Sequence, residues 1–268
     1  MRTIVHLSDL HFGRIDPAIL RPLADFVRIA RPDVVAVSGD LTQRARTKEF
    51  VAAREFLTSI PFPQVVVPGN HDVPLHNPFH RFARSLDRYA RHITADLQPF
   101  YADAEMVVAG VNTARALTWK DGRINRNQLE KLRATLQAAP ASVTKIVVTH
   151  HPFDLPAGAS GRVVGRSRLA MATLAECKVD LLLAGHFHIA HTCQTATRYK
   201  MPGYSAIIVS SGTTTSTRGR GQPNSFNVIR IEQPTITIER RTWRPESLDF
   251  DVLSIERFRR TDEGWIRE

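Results

Sequence analysis

Five short runs of aliphatic, mostly β-branched residues stand out along the chain. They are "TIVHLS" from Thr3, "DVVAVS" from Asp33, "QVVVP" from Gln64, "KIVVTH" from Lys145 and "DLLLA" from Asp180. Runs of this length, bounded by polar or turn-forming residues, are typical of buried strands. The pattern therefore predicts five buried strands.

Helical patterns lie between these strands. Apolar residues recur at steps of three and four over Pro17–Ala30, Thr47–Ile60 and Asn127–Ala139, as they do on the buried face of a helix. Strands that alternate with helices favour βαβ units and a mainly parallel sheet. The predicted fold class is therefore α/β.

The helical pattern disappears later in the chain. The segments "SAIIVSSGT", "SFNVIRIE" and "TITIERRTW" follow one another with only loops between them, which predicts a β-rich, antiparallel part over 205–243. No linker, low-complexity segment or internal repeat divides the chain. We therefore expect one domain over 1–268, with two packed sheets and helices outside. It would consist of a motif-bearing α/β part (1–188), the β-rich part as the second sheet, and a basic C-terminal extension (245–268).

Polar residues of metal-binding type follow each predicted strand at its carboxyl end, where open α/β sheets bind ligands. In chain order they are Asp9 and His11, then Asp40, then Asn70 and His71, then His150 and His151, then His186 and His188. The last two histidines are two residues apart, so in an extended chain their imidazoles point the same way. Five such coincidences indicate one shared metal site.

The composition adds a strong positive charge. The 268 residues include 36 Lys and Arg against 26 Asp and Glu, a formal net charge of +10, and Arg greatly outnumbers Lys. This excess fits an anionic substrate, an anionic lipid surface or nucleic acid, or only a basic solvated surface. The sequence contains two cysteines, Cys177 and Cys193, and it shows neither a secretory signal nor an apolar run long enough to span a membrane. We therefore expect a cytoplasmic protein whose thiols are incidental.

The motifs "DLH", "GDLT", "GNHD", "HHP" and "GHFH", in that order, resemble the calcineurin-like metallophosphoesterases, a superfamily of binuclear metal hydrolases. The resemblance runs from Asp9 to His188, and the β-rich remainder suits the second sheet of the family's four-layer αββα sandwich, two mixed sheets flanked by helices. It implies two divalent transition-metal ions, Mn, Fe or Zn, and a ligand for every motif. The implied ligands are Asp9, His11 and His188 for one ion, Asn70, His150 and His186 for the other, and Asp40 as the bridge.

The chemistry of these residue types supports the implied assignment. Two cations ~3.5–4 Å apart repel each other, so a shared carboxylate such as Asp40 is expected between them. Asn70 fills a coordination position without cancelling charge, which leaves a net positive site that attracts a phosphate oxygen. The predicted reaction is attack of a metal-bridging hydroxide on a phosphodiester, with His71 beside the substrate as a catalytic residue that binds no metal.

Other polar residues near the motifs have less specific interpretations. His6 is expected to be a core histidine with its hydrogen bonds satisfied, and Asp72 to brace the loop that carries His71. His151 either supports its neighbour or is a further ligand. His191 lies beyond the matching pattern and is interpreted as a surface or supporting residue.

Two arginine-bearing loops are candidates for substrate binding. The segment Pro156–Arg168 carries Arg162, Arg166 and Arg168, and a later hydroxyl-rich loop carries Arg218. Guanidinium groups on loops at the rim of a site are suited to clamp an anionic substrate. The alternative is that both loops are simply solvated.

The leading functional hypothesis is a small phosphodiesterase, because the "GNHD" histidine and the compact size resemble the cyclic-nucleotide and glycerophosphodiester branch of the family. The alternative is a phospholipid- or lipid-A-precursor-directed phosphohydrolase, which the basic run "RFRR" at Arg257–Arg260 would dock to an anionic membrane. A nuclease is less expected, since such enzymes usually bring further domains. A non-catalytic scaffold is disfavoured because all seven ligand positions are filled.

Overall fold

The computed structural model describes residues 1–74, 85–116, 120–156, 161–218 and 221–268. Two β-sheets pack face to face. From edge to edge, the first sheet contains β13 (Gly264–Arg267), β12 (Asp249–Thr261), β11 (Thr235–Arg244), β10 (Ser225–Glu232), β1 (Arg2–Leu7), β2 (Val34–Val37) and β3 (Gln64–Val66). Strands β1 to β3 are parallel, and the remaining pairs are antiparallel.

The second sheet has six strands. In order they are β4 (Phe100–Ala102), β5 (Met106–Gly110), β6 (Thr144–Val148), β7 (Leu181–Ala184), β9 (Ile207–Ser210) and β8 (His191–Gln194). Strands β5, β6, β7 and β9 are parallel, and the edge strands β4 and β8 are antiparallel to their neighbours. Both sheets are therefore mixed.

Helices cover the outer faces of both sheets. In the described ranges they are α1 (Pro17–Ala30), α2 (Thr47–Thr58), α3 (Asp87–His92), α4 (Arg126–Ala138) and α5 (Ser167–Glu176). Short 3₁₀ turns occupy Asn70–Asp72 and Thr195–Thr197. Within the described part of the chain, every helix is too short or too polar to cross a lipid bilayer.

Three apolar layers hold these elements together. Ile4 of β1 and Leu183 of β7 belong to the layer between the sheets. Val5 and Leu7, which alternate with Ile4 along β1, belong instead to the layer under α1 and α2. Val147 of β6 packs in the third layer, under α4 and α5. Both faces of the central strands are thus buried, and the expected αββα sandwich is confirmed.

The partners of the late strands differ from the sequence-based prediction. Of the strands within 205–243, only β9 joins the second sheet, and it runs parallel to β7, whereas β10 and β11 extend the first sheet from β1. The assignment of 205–243 to a separate second sheet is therefore wrong. Alternation identifies a strand and its buried face but not its neighbour. The basic extension 245–268 also joins the first sheet, as β12 and β13.

Two elements, strand β4 and helix α5, have no clear signal in the sequence. Strand β4 has three residues and is partly exposed, and it leads directly into β5. Helix α5 begins at Ser167, after Arg166 in a left-handed conformation and without a side-chain hydrogen bond at its start. Capping side chains are the main local signal for the start of a helix. Because none is present here, the sequence of the arginine-bearing segment Pro156–Arg168 predicts a loop.

Candidate metal centre

The segments that follow β1, β2, β3, β6 and β7 meet at one end of the sandwich. Much of this region has strained backbone. Of the ten non-glycine residues with positive φ in the described ranges, five are candidate ligands: Asp9 (51°), His11 (51°), Asp40 (53°), His186 (78°) and His188 (58°). A left-handed conformation costs such a residue about 1–2 kcal/mol. Strain of this kind concentrates at functional sites, where the surrounding fold enforces it.

Four buried side chains form the first group of candidate ligands: Asp9, His11, Asp40 and His188. The Nε2 atoms of His11 and His188 are 3.1 Å apart. Asp9 Oδ1 lies 3.6 Å from the first of these atoms and 3.2 Å from the second. Asp40 Oδ2 is 3.7 Å from Nε2 of His11. The four atoms surround one point, as the ligands of a single cation do.

The second group centres on Asn70. Its Oδ1 atom lies 3.1 Å from Nε2 of His150 and 3.0 Å from Nδ1 of His186. Asp40 Oδ1 is 3.4 Å from the same Nε2 atom of His150. The two oxygens of Asp40 thus face different groups, which is the geometry of a bridging carboxylate.

Backbone carbonyls hold three of the imidazoles at Nδ1. The carbonyl oxygens of Thr42, Ser38 and Arg218 lie 3.3, 2.8 and 3.0 Å from Nδ1 of His11, His150 and His188, respectively. A carbonyl oxygen only accepts, so Nδ1 carries a hydrogen and the other ring nitrogen, Nε2, faces the centre. Metal-binding histidines are oriented in this way in other proteins.

The donor atoms of these groups fit divalent cations. The Nε2 atoms of His11 and His188 face each other, and Asp9 Oδ1 is buried without a hydrogen bond from any described residue. Its other oxygen is held by Ser8 Oγ at 2.6 Å and by the backbone N–H of His186 at 3.0 Å. Buried carboxylate oxygens and ring nitrogens this close together favour a positive charge between them, and mixed nitrogen and oxygen donors suit divalent transition metals.

The charges of the metal-free centre agree with this conclusion. Burial alone would raise the pKa of Asp40, but the imidazoles, chiefly His150, outweigh it and lower that pKa. Burial would lower the pKa of His150, but the Asp40 carboxylate outweighs it and raises the value to about 9. For His186 burial dominates and lowers the pKa to about 3. The buried carboxylates therefore attract positive charge to the position where cations would bind.

Two glycines allow the segments that carry the motifs to approach one another. A Cβ atom on Gly69 would lie 2.1 Å from Asp40 Oδ1. A Cβ atom on Gly185 would lie 1.9 Å from Ser8 Oγ and 2.4 Å from Asp9 Oδ2. Both distances are far inside van der Waals contact, so the "GNHD" and "GHFH" motifs need glycine for close backbone approach.

His151 lies beside the second group without facing it. Its ring centroid is 4.8 Å from that of His150 and 4.6 Å from that of His186. However, Nδ1 is 2.8 Å from Thr113 Oγ1, and Nε2 is 2.9 Å from the carbonyl oxygen of Lys120. Because both ring nitrogens are hydrogen bonded, the geometry favours a supporting role over direct ligation.

Two further side chains lie as the sequence predicts. Asp72 accepts hydrogen bonds from the backbone N–H groups of Thr42 and Gly69, each at 2.9 Å, and so braces the segments after β2 and β3. His6 is buried, with Nε2 2.9 Å from Ser38 Oγ. Burial lowers the pKa of His6 to about 3, so this imidazole is neutral.

His71 lies at the edge of both groups. Its backbone N–H donates to Asp40 Oδ1 at 2.8 Å, which ties it to the bridging carboxylate. Its ring is held at Nδ1 by the carbonyl oxygen of Gln43, 2.8 Å away, and at Nε2 by Nη1 of Arg218, 3.2 Å away. The ring is therefore next to the candidate ligands and is not one of them.

A cavity of about 220 Å³ opens over the centre. Of the four arginines predicted to bind substrate, Arg162 and Arg218 line it. Arg166 and Arg168 are not among its lining residues, since they belong to the start of α5. Residues 157–160 of the same loop lie outside the described ranges.

The cavity also contains residues that the sequence does not single out. Lys120, Asp121 and Phe187 form part of its wall. Lys120 and Asp121 belong to no motif, and the carbonyl oxygen of Lys120 is hydrogen bonded to Nε2 of His151. Phe187 lies between two motif histidines, where an aromatic residue is easily mistaken for core.

The chain matches the model of the calcineurin-like phosphoesterases over residues 2–190. It is also similar to the glycerophosphodiester phosphodiesterase GpdQ of Enterobacter lignolyticus (strain SCF1), with 37% identity over 82 residues. That alignment covers 26% of this chain and 29% of the relative, so the chain matches less than a third of the relative's length.

Solved structures agree on the fold. Purple acid phosphatase PPD1 from yellow lupin (Lupinus luteus) seeds superposes with a TM-score of 0.68 at 15% identity, over 96% of this chain and 53% of that one. GAP50, the anchor in the inner membrane complex of Plasmodium, superposes with a TM-score of 0.57 at 14% identity, over 95% and 87%. The expected enzyme class, a hydrolase of phosphoester bonds, is confirmed at the level of the family. Since the family model spans well over half of the sequence, this chain belongs to the calcineurin-like phosphoesterase family.

Proposed function

We propose that this chain is a metal-dependent phosphodiesterase with a binuclear centre. The observation that supports it most directly is the position of Asp40, whose two oxygens face two separate groups of nitrogen and oxygen donors. Asp9, His11 and His188 would hold one ion, and Asn70, His150 and His186 the other. When bound, two such ions lower the pKa of a shared water and polarise phosphoryl oxygens. The ions' identity, Mn, Fe or Zn, stays a prediction.

The chain's own side chains would bind and orient the substrate in the cavity. Arg162, Arg218 and Lys120 bring three cationic groups to its wall, which suits an anionic phosphoester. His71 lies between Arg218 and the bridging carboxylate. From there its ring is placed to stabilise developing charge or to pass a proton to the leaving group once Arg218 turns to the substrate.

A diester is the favoured substrate. The named relative GpdQ is a glycerophosphodiester phosphodiesterase, although the alignment covers only part of both chains. The cavity has both a cationic wall and an aromatic side chain, Phe187. A diester presents one negative charge together with an organic group on each side. The cationic wall would bind the charge, and Phe187 would contact an organic group.

The alternative is a phospholipid- or lipid-A-precursor-directed phosphohydrolase at an anionic membrane. Its support is the net charge of +10 and the exposed Arg257 and Arg259 on β12. Two arginines of this run already contact carboxylates, since Arg259 lies 3.2 Å from Glu268 and Arg260 lies 3.4 Å from Asp180. These ion pairs reduce the charge that β12 offers to a membrane, and we rank this alternative second. The cytoplasmic location stays a prediction.

Metal analysis combined with a substrate panel tests the proposal. The panel contains bis-p-nitrophenyl phosphate, p-nitrophenyl phosphate, cyclic nucleotides and phospholipids, each assayed with several metals. We expect two ions bound at the centre, reversible loss of hydrolysis with a chelator, and a preference for diesters. Asp40→Ala should weaken binding of both ions and His188→Ala mainly of one. Binding of a single ion at saturation, or a preference for monoesters, would contradict the proposal.

Arginine substitutions test the cavity wall. Arg162→Ala or Arg218→Ala should raise KM for soluble diesters by about tenfold, equivalent to about 1.4 kcal/mol. Arg168→Ala is the matched control, because it removes the same charge from outside the cavity wall. An equal rise in KM for the control would show that net charge, and not the cavity, attracts the substrate.

A further inference from the structure

A second concentration of metal-binding side chains lies outside the candidate metal centre. It consists of Asp154, which follows the "HHP" motif after β6, and of His191 and Cys193 on the edge strand β8. We propose that these three residues form a separate site for a zinc-type divalent ion. The site would join the segment after β6 to the edge of the second sheet.

The distances among the donor atoms suit one small cation. Cys193 Sγ lies 3.1 Å from Asp154 Oδ2, and His191 Nε2 lies 4.0 Å from the same oxygen. All three donors lie within 4.8 Å of one another. With Zn–S near ~2.3 Å and Zn–N near ~2.0–2.1 Å, the donors of a tetrahedral site are about 3–4 Å apart. His191 and Cys193 are two residues apart on one strand, so both point to the same side of it.

The carboxylate is held in place by its surroundings. Arg198 Nε donates to Asp154 Oδ1 at 2.7 Å, which leaves Oδ2 directed at the thiol and the imidazole. Tyr199 Oη donates to the carbonyl oxygen of Phe153 at 2.7 Å and fixes the adjoining backbone. Hydrogen bonds that orient a ligating carboxylate from behind are a usual part of metal sites.

The thiolate, imidazole and carboxylate donors of this site favour a different class of metal ion from the ions that bind to oxygen-rich sites. Thiolate and imidazole favour Zn²⁺ and Co²⁺ over Mg²⁺ and Ca²⁺. Burial and the Asp154 carboxylate raise the pKa of the Cys193 thiol, so it is protonated in the metal-free protein. Binding therefore replaces the S–H bond with an S–metal bond and releases one proton to solvent. His191 is partly exposed, with 27% of its side chain accessible, which leaves room for water as a fourth ligand.

Cobalt gives this site a signal of its own. The ligands proposed for the binuclear centre contain no sulfur, so a thiolate-to-cobalt charge-transfer band would report Cys193 or the other cysteine, Cys177. We would add Co²⁺ alone to the metal-free full-length protein and record near-ultraviolet absorption. The band should appear in the wild type and in Cys177→Ser, and it should be lost in Cys193→Ser. Absence of the band at saturating Co²⁺, or its survival in Cys193→Ser, would overturn the proposal.

A second variant controls for the case in which Cys193→Ser loses the band because it fails to fold. His191→Gln should keep the wild-type circular dichroism and should lower the cobalt affinity of the band-forming site at least tenfold, while Cys193 remains present. Unchanged affinity in this variant would also overturn the proposal. The readout is independent of catalysis. Diester turnover without the band counts against this site only, and the band without turnover counts against the proposed function only.

Discussion

The ring of His71 is bonded at both nitrogens, to a backbone carbonyl on one side and to a guanidinium on the other. The carbonyl of Gln43 accepts a hydrogen bond from Nδ1, and Arg218 donates one to Nε2. A ring in this state cannot hold a metal through Nε2 while Arg218 occupies that atom. At the scale of the residue, hydrogen bonds therefore distinguish His71 from His11, His150 and His188, whose Nε2 atoms face the candidate metal centre.

Replacement of His71 tests this distinction. His71→Ala should keep both metal ions and lower kcat by roughly 10²- to 10⁴-fold for a substrate with a poor leaving group. The loss should be smaller for a nitrophenol leaving group, which needs less help from an acid. Metal content and steady-state kinetics on both substrates measure the effect. Loss of metal in parallel with activity would show that His71 is a ligand.

His151 allows a second prediction at the same scale. The ring connects Thr113 and the carbonyl of Lys120 to the segment after β6 that carries the candidate ligand His150. His151→Phe keeps the shape of the ring but loses both hydrogen bonds, so the Lys120 wall of the cavity should shift. We expect KM to rise by about tenfold, or about 1.4 kcal/mol, with kcat and metal content little changed.

A double-mutant cycle with Lys120→Ala provides the control for His151. If His151 acts through Lys120, the two substitutions together should raise KM no more than one of them alone. Additive effects, or loss of one metal ion in His151→Phe, would instead place His151 in another role.

At the scale of elements, Asp180 fastens the C-terminal strands to the second sheet. The residue lies just before β7 and is 3% exposed. Its Oδ2 accepts from the backbone N–H of Lys145 at 2.8 Å, and its Oδ1 accepts from Nε1 of Trp265 at 2.9 Å. Arg260 of β12 lies 3.4 Å from the same Oδ1. One buried carboxylate therefore joins β6, β7, β12 and β13.

We predict that Asp180→Asn destabilises the fold by about 1–3 kcal/mol at pH 7, because the amide nitrogen cannot accept one of these hydrogen bonds. Burial raises the pKa of Asp180 above 3.8. The folded state therefore favours the protonated form, and the stability that this proton contributes is lost as the pH rises through the raised pKa. Since the asparagine side chain of the variant does not titrate, the advantage of the wild type over the variant should widen as the pH falls toward 3.8.

Urea denaturation at several pH values measures this difference. The matched control is Asp251→Asn, because Asp251 forms an exposed ion pair with Arg244 at 3.2 Å, with 61% of its side chain accessible. Pairs of this kind contribute about 0–1 kcal/mol. A difference between wild type and Asp180→Asn that stays constant with pH would contradict the predicted titration.

At the scale of the whole molecule, the net charge of +10 is only partly available to a partner. In the basic run on β12, Arg259 and Arg260 contact Glu268 and Asp180, while Arg257 is exposed. Each unneutralised arginine near an anionic bilayer contributes about 1 kcal/mol, and the attraction fades within a Debye length of ~8 Å at physiological salt.

We therefore predict weak binding to anionic vesicles at physiological salt. Co-sedimentation with phosphatidylserine-containing vesicles, at low and at physiological salt, measures it, and phosphatidylcholine vesicles are the control. Strong salt-sensitive binding to the anionic vesicles, together with faster turnover of phospholipids than of soluble diesters, would favour the lipid-directed alternative.

Much of the site can be predicted from the sequence because its ligands are local features of strand ends. An aliphatic run followed by Asp9 and His11, or by His186 and His188, specifies both a buried strand and a polar group at its carboxyl end. Glycines such as Gly185 accompany the motifs because the close approach of the backbone excludes a side chain. These signals extend over a few residues, so the sequence alone indicates the fold class and the candidate ligands.

Only the tertiary structure decided which of these groups meet. The pairing of β10 with β1, the orientation of the two Asp40 oxygens and the placement of Lys120 in the cavity wall all depend on residues distant in sequence. The same holds for Cys193, which the sequence suggests is incidental and which the fold brings to 3.1 Å from Asp154. The periodicity of apolar residues indicates which face of an element is buried, but it does not indicate which other element packs against that face.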